Sequence, residues 1–246
     1  MAAALQLPVI DLSAAARVST ASSIRQACTD YGFFYLVNTG SEKELLDRVF
    51  EESKKFFSLP LEEKIKLGCN DAKEQRGYTP LYADNLDPTS SYTGDSKESF
   101  FLGPLEDITT PVVLNKWPLQ EILDILPSTM ESFNRKLLLA GKRLGSLIAL
   151  ALNLDEDFFE KVGALDNSMP FLRLLHYPGD MGSFNDEIYG AYAHSDYGMI
   201  TLLATDGVPG LQVCREKIQV TTSLGGRTSC RWGLNCEYWG HDGDLD

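Results

Sequence analysis

Apolar residues recur along this chain with two periods, one helical and one extended, and the changes between them mark out its elements. Residues 7–12 predict a short strand, 19–31 a helix, and 32–38 a strongly apolar strand closed by Thr39 and Gly40. Ser41 and Glu44 have the spacing of a capping box, which predicts a helix carrying Leu45, Leu46, Val49, Phe50, Phe56 and Phe57 on one stripe. Leu59-Pro60 ends that helix, and residues 61–65 begin a shorter one. The polar stretch 68–95 reads as a surface loop or, given its length, a binding loop. Inside it, residues 76–80 read as more structured than their surroundings, and alternation resumes at 97–101.

Residues 111–118 form a connector. A second capping box, Ser128 to Glu131, opens the longest predicted helix, reaching about Leu152, with Phe133, Leu137, Leu144, Leu147, Ile148 and Ala151 on its packing side. From Met169 the period becomes extended: Phe171, Arg173, Leu175 and Tyr177 share one face, and Leu172, Leu174 and His176 the other. His176 therefore points away from Tyr177, toward a structural or substrate-side role. Residues 190–203 and 211–214 supply further strands.

In the run Gly190-Ala191-Tyr192-Ala193-His194-Ser195-Asp196-Tyr197-Gly198, an imidazole and a carboxylate stand two residues apart. On an extended backbone they would face the same way, at the end of a strand built from residues 199–203. One neutral imidazole and one carboxylate suit a divalent first-row metal, as in the two-histidine, one-carboxylate face of Fe(II) oxygenases. A surface histidine beside an acid has the same spacing.

Composition narrows the function classes. A hydrophobic content of 43% with 10% aromatics predicts a folded globular protein with a sizeable core. The formal charge of −13 and the lack of basic runs argue against nucleic acid. No apolar run approaches the roughly 18 residues that a membrane helix needs, and the N-terminus has no secretory signal pattern. Five scattered cysteines, with no C-x-x-C pair, fit a reducing compartment; the expectation is a cytoplasmic monomer.

Several stretches in order resemble the plant-type 2-oxoglutarate- and Fe(II)-dependent dioxygenases, of the isopenicillin N synthase-like superfamily. They are residues 7–12, 32–38, 56–60, Arg76-Gly77-Tyr78, 171–179, 190–198, 201–203 and 210–213. The resemblance covers roughly residues 7–217. It implies an α+β, mainly β fold: a double-stranded β-helix (jelly-roll) core, incomplete at its C-terminal end, preceded by a helix-and-strand region. The implied divisions are an N-terminal dioxygenase-type region at 1–110, a helical connector at 111–165, a partial jelly roll at 166–217 and a divergent tail at 218–246. By the same resemblance His194 and Asp196 are Fe(II) ligands and Tyr177 lies near the co-substrate 2-oxoglutarate. The implied reaction consumes O2, oxidises a small-molecule substrate, and releases succinate and CO2.

The chain departs from the family after Asp196. The family pattern continues with a second histidine on a later strand and then an Arg-x-Ser that anchors the distal carboxylate of 2-oxoglutarate. Only 50 residues follow Asp196, the single later histidine is His241, and no arginine follows Arg231. His241 stands among turn formers and acids, which favours a solvent-exposed tail histidine over a third ligand. Residues 221–230 are small, polar and without strand alternation. Three readings follow: an active oxygenase; a catalytically silent truncated form, either a binding or regulatory variant or an unstable product; and a structural zinc site.

Overall fold

The computed structural model describes residues 7–68, 76–84, 94–103, 115–164, 170–179, 190, 191, 194, 196, 198–209 and 211, and the backbone of 234–238. In chain order its elements are β1 (Val9–Asp11), α1 (Arg17–Asp30), β2 (Phe33–Val37), α2 (Lys43–Phe57), α3 (Leu61–Ile65), β3 (Gly77–Thr79), β4 (Glu98–Leu102), α4 (Leu126–Ala151), α5 (Phe158–Lys161), β5 (Leu172–His176), β6 (Ile200–Ala204) and β7 (Leu234–Tyr238). They fall into two compact units, one comprising Met1–Gly40, Leu139–Asp166 and Ser195–Asp246, the other Ser41–Leu138 and Asn167–His194.

The first unit is built on a four-stranded sheet in the order β1-β2-β7-β6, parallel throughout. Parallel neighbours cannot be joined by a tight hairpin, and α1 supplies the crossover between β1 and β2. Phe34 and Leu36 alternate with less buried neighbours on β2 and are fully enclosed. Against them pack Ala21, Ile24 and Ala27 of α1, together with Ala140, Leu144, Leu147, Ile148 and Ala151 from the second half of α4. Arginines tie this layer together. Arg25 Nη1 donates to the carbonyl of Ala151 at 2.7 Å, at the end of α4 where backbone acceptors lack helical partners. Arg143 Nη2 donates to the carbonyl of Leu12 at 2.8 Å.

The second unit holds an antiparallel sheet, β3-β4-β5. Its register sets Glu98 opposite His176, Ser99 opposite Leu175, Phe100 opposite Leu174 and Phe101 opposite Arg173. One face therefore carries Glu98, Phe100, Leu102, Leu174 and His176, and the other Ser99, Phe101, Arg173 and Leu175. The end of α2 packs on the first face: the Phe56 and Phe100 rings lie 4.3 Å apart, and Phe57 stacks on His176 at 5.3 Å.

Most predicted elements are present, including the short strand at 77–79 and the alternating strand at 98–102. Four details differ. The Ser41 capping box does not set the start of α2, whose cap is Glu42, with no side-chain cap hydrogen bond. The longest helix begins at Leu126, before Ser128, because Pro127 fits a first helical turn where its missing N–H costs nothing; Ser128 Oγ instead bonds back to the Ile125 carbonyl. The divergent tail at 218–246, in which the sequence marked no strand and whose residues 221–230 lack strand alternation, contributes β7 at Leu234–Tyr238, whose backbone pairs with both β2 and β6. Finally, the resemblance implies an incomplete jelly roll, whose strands are antiparallel, whereas the described strands form one parallel and one antiparallel sheet and do not close into a barrel. The predicted strand at 211–214 lies outside the described residues apart from Leu211. Among the described residues no helix is long and apolar enough to cross a membrane.

Candidate functional site

Tyr177 directly follows β5, and strand alternation carries it on the same face as Arg173. It is half-exposed. Its ring lies so close to Gly190 that a Cβ added there would stand 2.7 Å from Tyr177 Cδ1, so only a glycine permits this approach. Burial of the phenol raises its pKa; Arg173 works against the shift, and the Asp95 and Asp84 carboxylates reinforce it. The hydroxyl therefore stays protonated at neutral pH and remains a hydrogen-bond donor.

Arg173 is itself held in place. Its Nη2 donates to Asp84 Oδ2 and, at 3.0 Å, to Ser99 Oγ, while the guanidinium lies 4.1 Å above the Phe101 ring. Nearby, Lys97 pairs with Asp95, and both are almost completely buried. Arg173 Nε and Asp95 Oδ1, both buried, have no hydrogen-bond partner among the described residues. The Tyr177 face is thus lined with fixed charges of both signs.

The opposite face carries a different cluster. Glu98, only 4% exposed, accepts hydrogen bonds from Lys64 Nζ at 2.7 Å and from the Tyr78 hydroxyl. Its other oxygen is 2.8 Å from His176 Nδ1. Burial alone would raise the Glu98 pKa, but the bonds from Lys64, Tyr78 and His176 prevail and hold the carboxyl below its usual range. Burial first, and then the Glu98 carboxylate, push the Tyr78 hydroxyl up. Lys64 also donates to the Phe57 carbonyl at 2.9 Å. His176 accordingly has a structural partner on the helix-covered face, as alternation predicted.

His194 is exposed and Asp196 half-buried. Neither belongs to a strand, in contrast to the predicted strand end; β6 begins only at Ile200. Gly198, a residue depleted in strands, stands between the pair and the run from Ile200 that forms β6. Among the described residues no three His, Cys, Asp or Glu side chains gather as a metal-binding group, and His241 lies outside the described residues. The sequence singled out His176 and Tyr78 but neither Glu98 nor Lys64, although a Lys-Glu pair opening an alternating apolar run was a usable signal, since charges there must be paired once buried.

Comparison with known proteins gives this geometry a family context. Residues 7–120 match the family described as non-haem dioxygenase in morphine synthesis, N-terminal. The Kihadalactone A synthase LFS of Citrus sinensis is 36% identical over 218 residues, which is 86% of this chain and 64% of that protein. The chain belongs to the 2-oxoglutarate- and Fe(II)-dependent dioxygenase family. A further member, the 2-oxoglutarate-Fe(II) type oxidoreductase hxnY of Emericella nidulans, is 30% identical over 84% of this chain and 62% of its own length. The crystal structure of a full-length Neurospora crassa protein in complex with alpha-KG superposes with a TM-score of 0.65 at 29% identity, covering 80% of this chain and 63% of that one. A 2OG-Fe(II) oxygenase family protein from Caulobacter crescentus gives 0.57 at 25% identity, over 70% and 56%. The chain spans a little under two thirds of the length of these curated relatives.

Proposed function

We propose that this chain carries the metal and co-substrate positions of an Fe(II)/2-oxoglutarate-dependent oxygenase that oxidises a small organic molecule with O2, releasing succinate and CO2. His194 and Asp196 are two protein ligands of the iron, and Tyr177 stands beside 2-oxoglutarate. The observation that carries this reading is the order of Tyr177-Pro178 and His194-x-Asp196 inside a match that spans 86% of the chain. The chemistry of the residues agrees. An imidazole and a carboxylate are the donor types that open-sited Fe(II) uses, and the ring of Tyr177 against Gly190 leaves its protonated hydroxyl ready to donate to a carboxylate. Bound Fe(II) with 2-oxoglutarate supplies O2 activation, with oxidative decarboxylation of the co-substrate driving oxidation of the substrate. The residues of the chain do the rest: Tyr177 donates a hydrogen bond, and Arg173, fixed by Asp84 and Ser99, keeps a positive charge on the Tyr177 face. The class of small organic substrate is in keeping with the Neurospora crassa relative, which crystallises in complex with alpha-KG and thymine. We place the protein in the cytoplasm as a monomer.

The test is an anaerobic titration of the folded chain with Fe(II) and 2-oxoglutarate, following the metal-to-ligand charge-transfer absorption. The band is expected with the native sequence and is expected to vanish in His194→Ala and Asp196→Ala. A folded native chain that develops no band would refute the oxygenase reading and favour the catalytically silent form.

A further inference from the structure

Tyr177 lies just past the end of β5, yet its phenol must be held in one place to meet a carboxylate. Its neighbour in the chain, His176, is anchored on the other face of the sheet. That anchor is Glu98, which gathers donors from three elements: Lys64 at the end of α3, Tyr78 of β3, and His176 at the end of β5. Lys64 extends the anchor to α2 through the Phe57 carbonyl, and Phe57 stacks on the His176 ring at 5.3 Å and 27°. The last residue of β5 is thereby clamped from above by an aromatic ring and from the side by a buried carboxylate.

We propose that Glu98 is a positioning residue for Tyr177, acting through His176 to fix the strand end from which the Tyr177 side chain projects. The inference rests on the reading of Tyr177 as the residue beside 2-oxoglutarate, but it makes a claim about the protein alone. Adjacent residues on a strand point to opposite faces. Holding His176 on the Glu98 face therefore dictates that Tyr177 lies on the Arg173 face and against Gly190. A purely structural role for the carboxylate would not require His176. The Lys64 and Tyr78 bonds already satisfy one oxygen of Glu98, and the third partner, half-exposed as it is, adds little burial.

The experiment labels the tyrosines of the full chain with 13C at the ring carbon that bears oxygen and follows their titration by NMR, with Tyr177→Phe identifying the Tyr177 signal. In the native chain Tyr177 is expected to titrate above the ordinary value of about 10, because its phenol is partly buried against Gly190. In His176→Phe, which keeps a ring on Phe57 but loses the bond to Glu98, the Tyr177 titration is expected to fall back to about 10. In His176→Gln, which keeps a donor near Glu98, it is expected to stay raised. As a second variant, Lys64→Met/Tyr78→Phe/Glu98→Leu replaces the charged cluster with apolar groups, so the fold is kept while the anchor is lost; the Tyr177 titration is expected to fall there too. An unchanged Tyr177 titration in His176→Phe or in the triple variant overturns the proposal. The apparent dissociation constant for 2-oxoglutarate, read from the charge-transfer band, is expected to rise several-fold in the same variants. If the titration falls while 2-oxoglutarate affinity is unmoved, the positioning role stands and the assignment of Tyr177 to the co-substrate fails.

Discussion

Removing the Glu98 carboxylate tests how the second unit is held together. In Glu98→Ala, the Lys64 ammonium, with a side chain only 8% exposed, keeps the Phe57 carbonyl at 2.9 Å and the Tyr78 ring at 5.3 Å but loses its counter-charge. Breaking a buried ion pair by deleting one partner costs about 3–5 kcal/mol. The orphaned Tyr78 hydroxyl adds to this, while the surviving Phe57 bond offsets about 1 kcal/mol. A loss of about 3–5 kcal/mol is therefore expected, measured by urea unfolding followed by circular dichroism with an unchanged denaturant slope. Lys64→Met/Tyr78→Phe/Glu98→Leu should recover most of it, because removing a whole buried ionic group is near neutral or stabilising. The pH dependence has a defined sign. The folded Glu98 pKa lies below its reference value of 4.5, so its contribution is complete above that value and is lost as pH falls through the lower folded pKa. Glu98→Gln should lack that acid-side loss. A cost below about 1 kcal/mol for Glu98→Ala would show that the cluster is not a buried ion pair in solution.

Other expectations are independent of this cluster. Phe34→Ala, in the fully enclosed centre of the first unit, should cost about 3–5 kcal/mol in the same unfolding assay, and a cost near zero would contradict the packing described for β2. Gly94→Ala should destabilise by about 1–3 kcal/mol, because Gly94 has φ of +106° and an added Cβ would stand 2.7 Å from the Asp84 carbonyl oxygen; native stability in that variant would refute the strain. Cys28, whose thiol is pushed up to about 11 by burial, should be alkylated at pH 8 far more slowly than a free thiol, as peptide mapping by mass spectrometry would show; labelling at the free rate would refute its burial.

Local elements and family motifs were legible in residue order alone. Helical stripes such as Leu46, Val49, Phe56 and Phe57, and the alternation from Phe171 to Tyr177, depend only on the periods of helix and strand. The His-x-Asp spacing and the Tyr177-Pro178 end were readable for the same reason, and alternation separated His176 from Tyr177. Contacts across long stretches of chain emerged only on folding. Nothing local brings Lys64, Tyr78, Glu98 and His176 onto one carboxylate, or sets β7 between β2 and β6. Such contacts depend on sheet register, and register is set by pairing with a distant partner, with each side chain's face following from it.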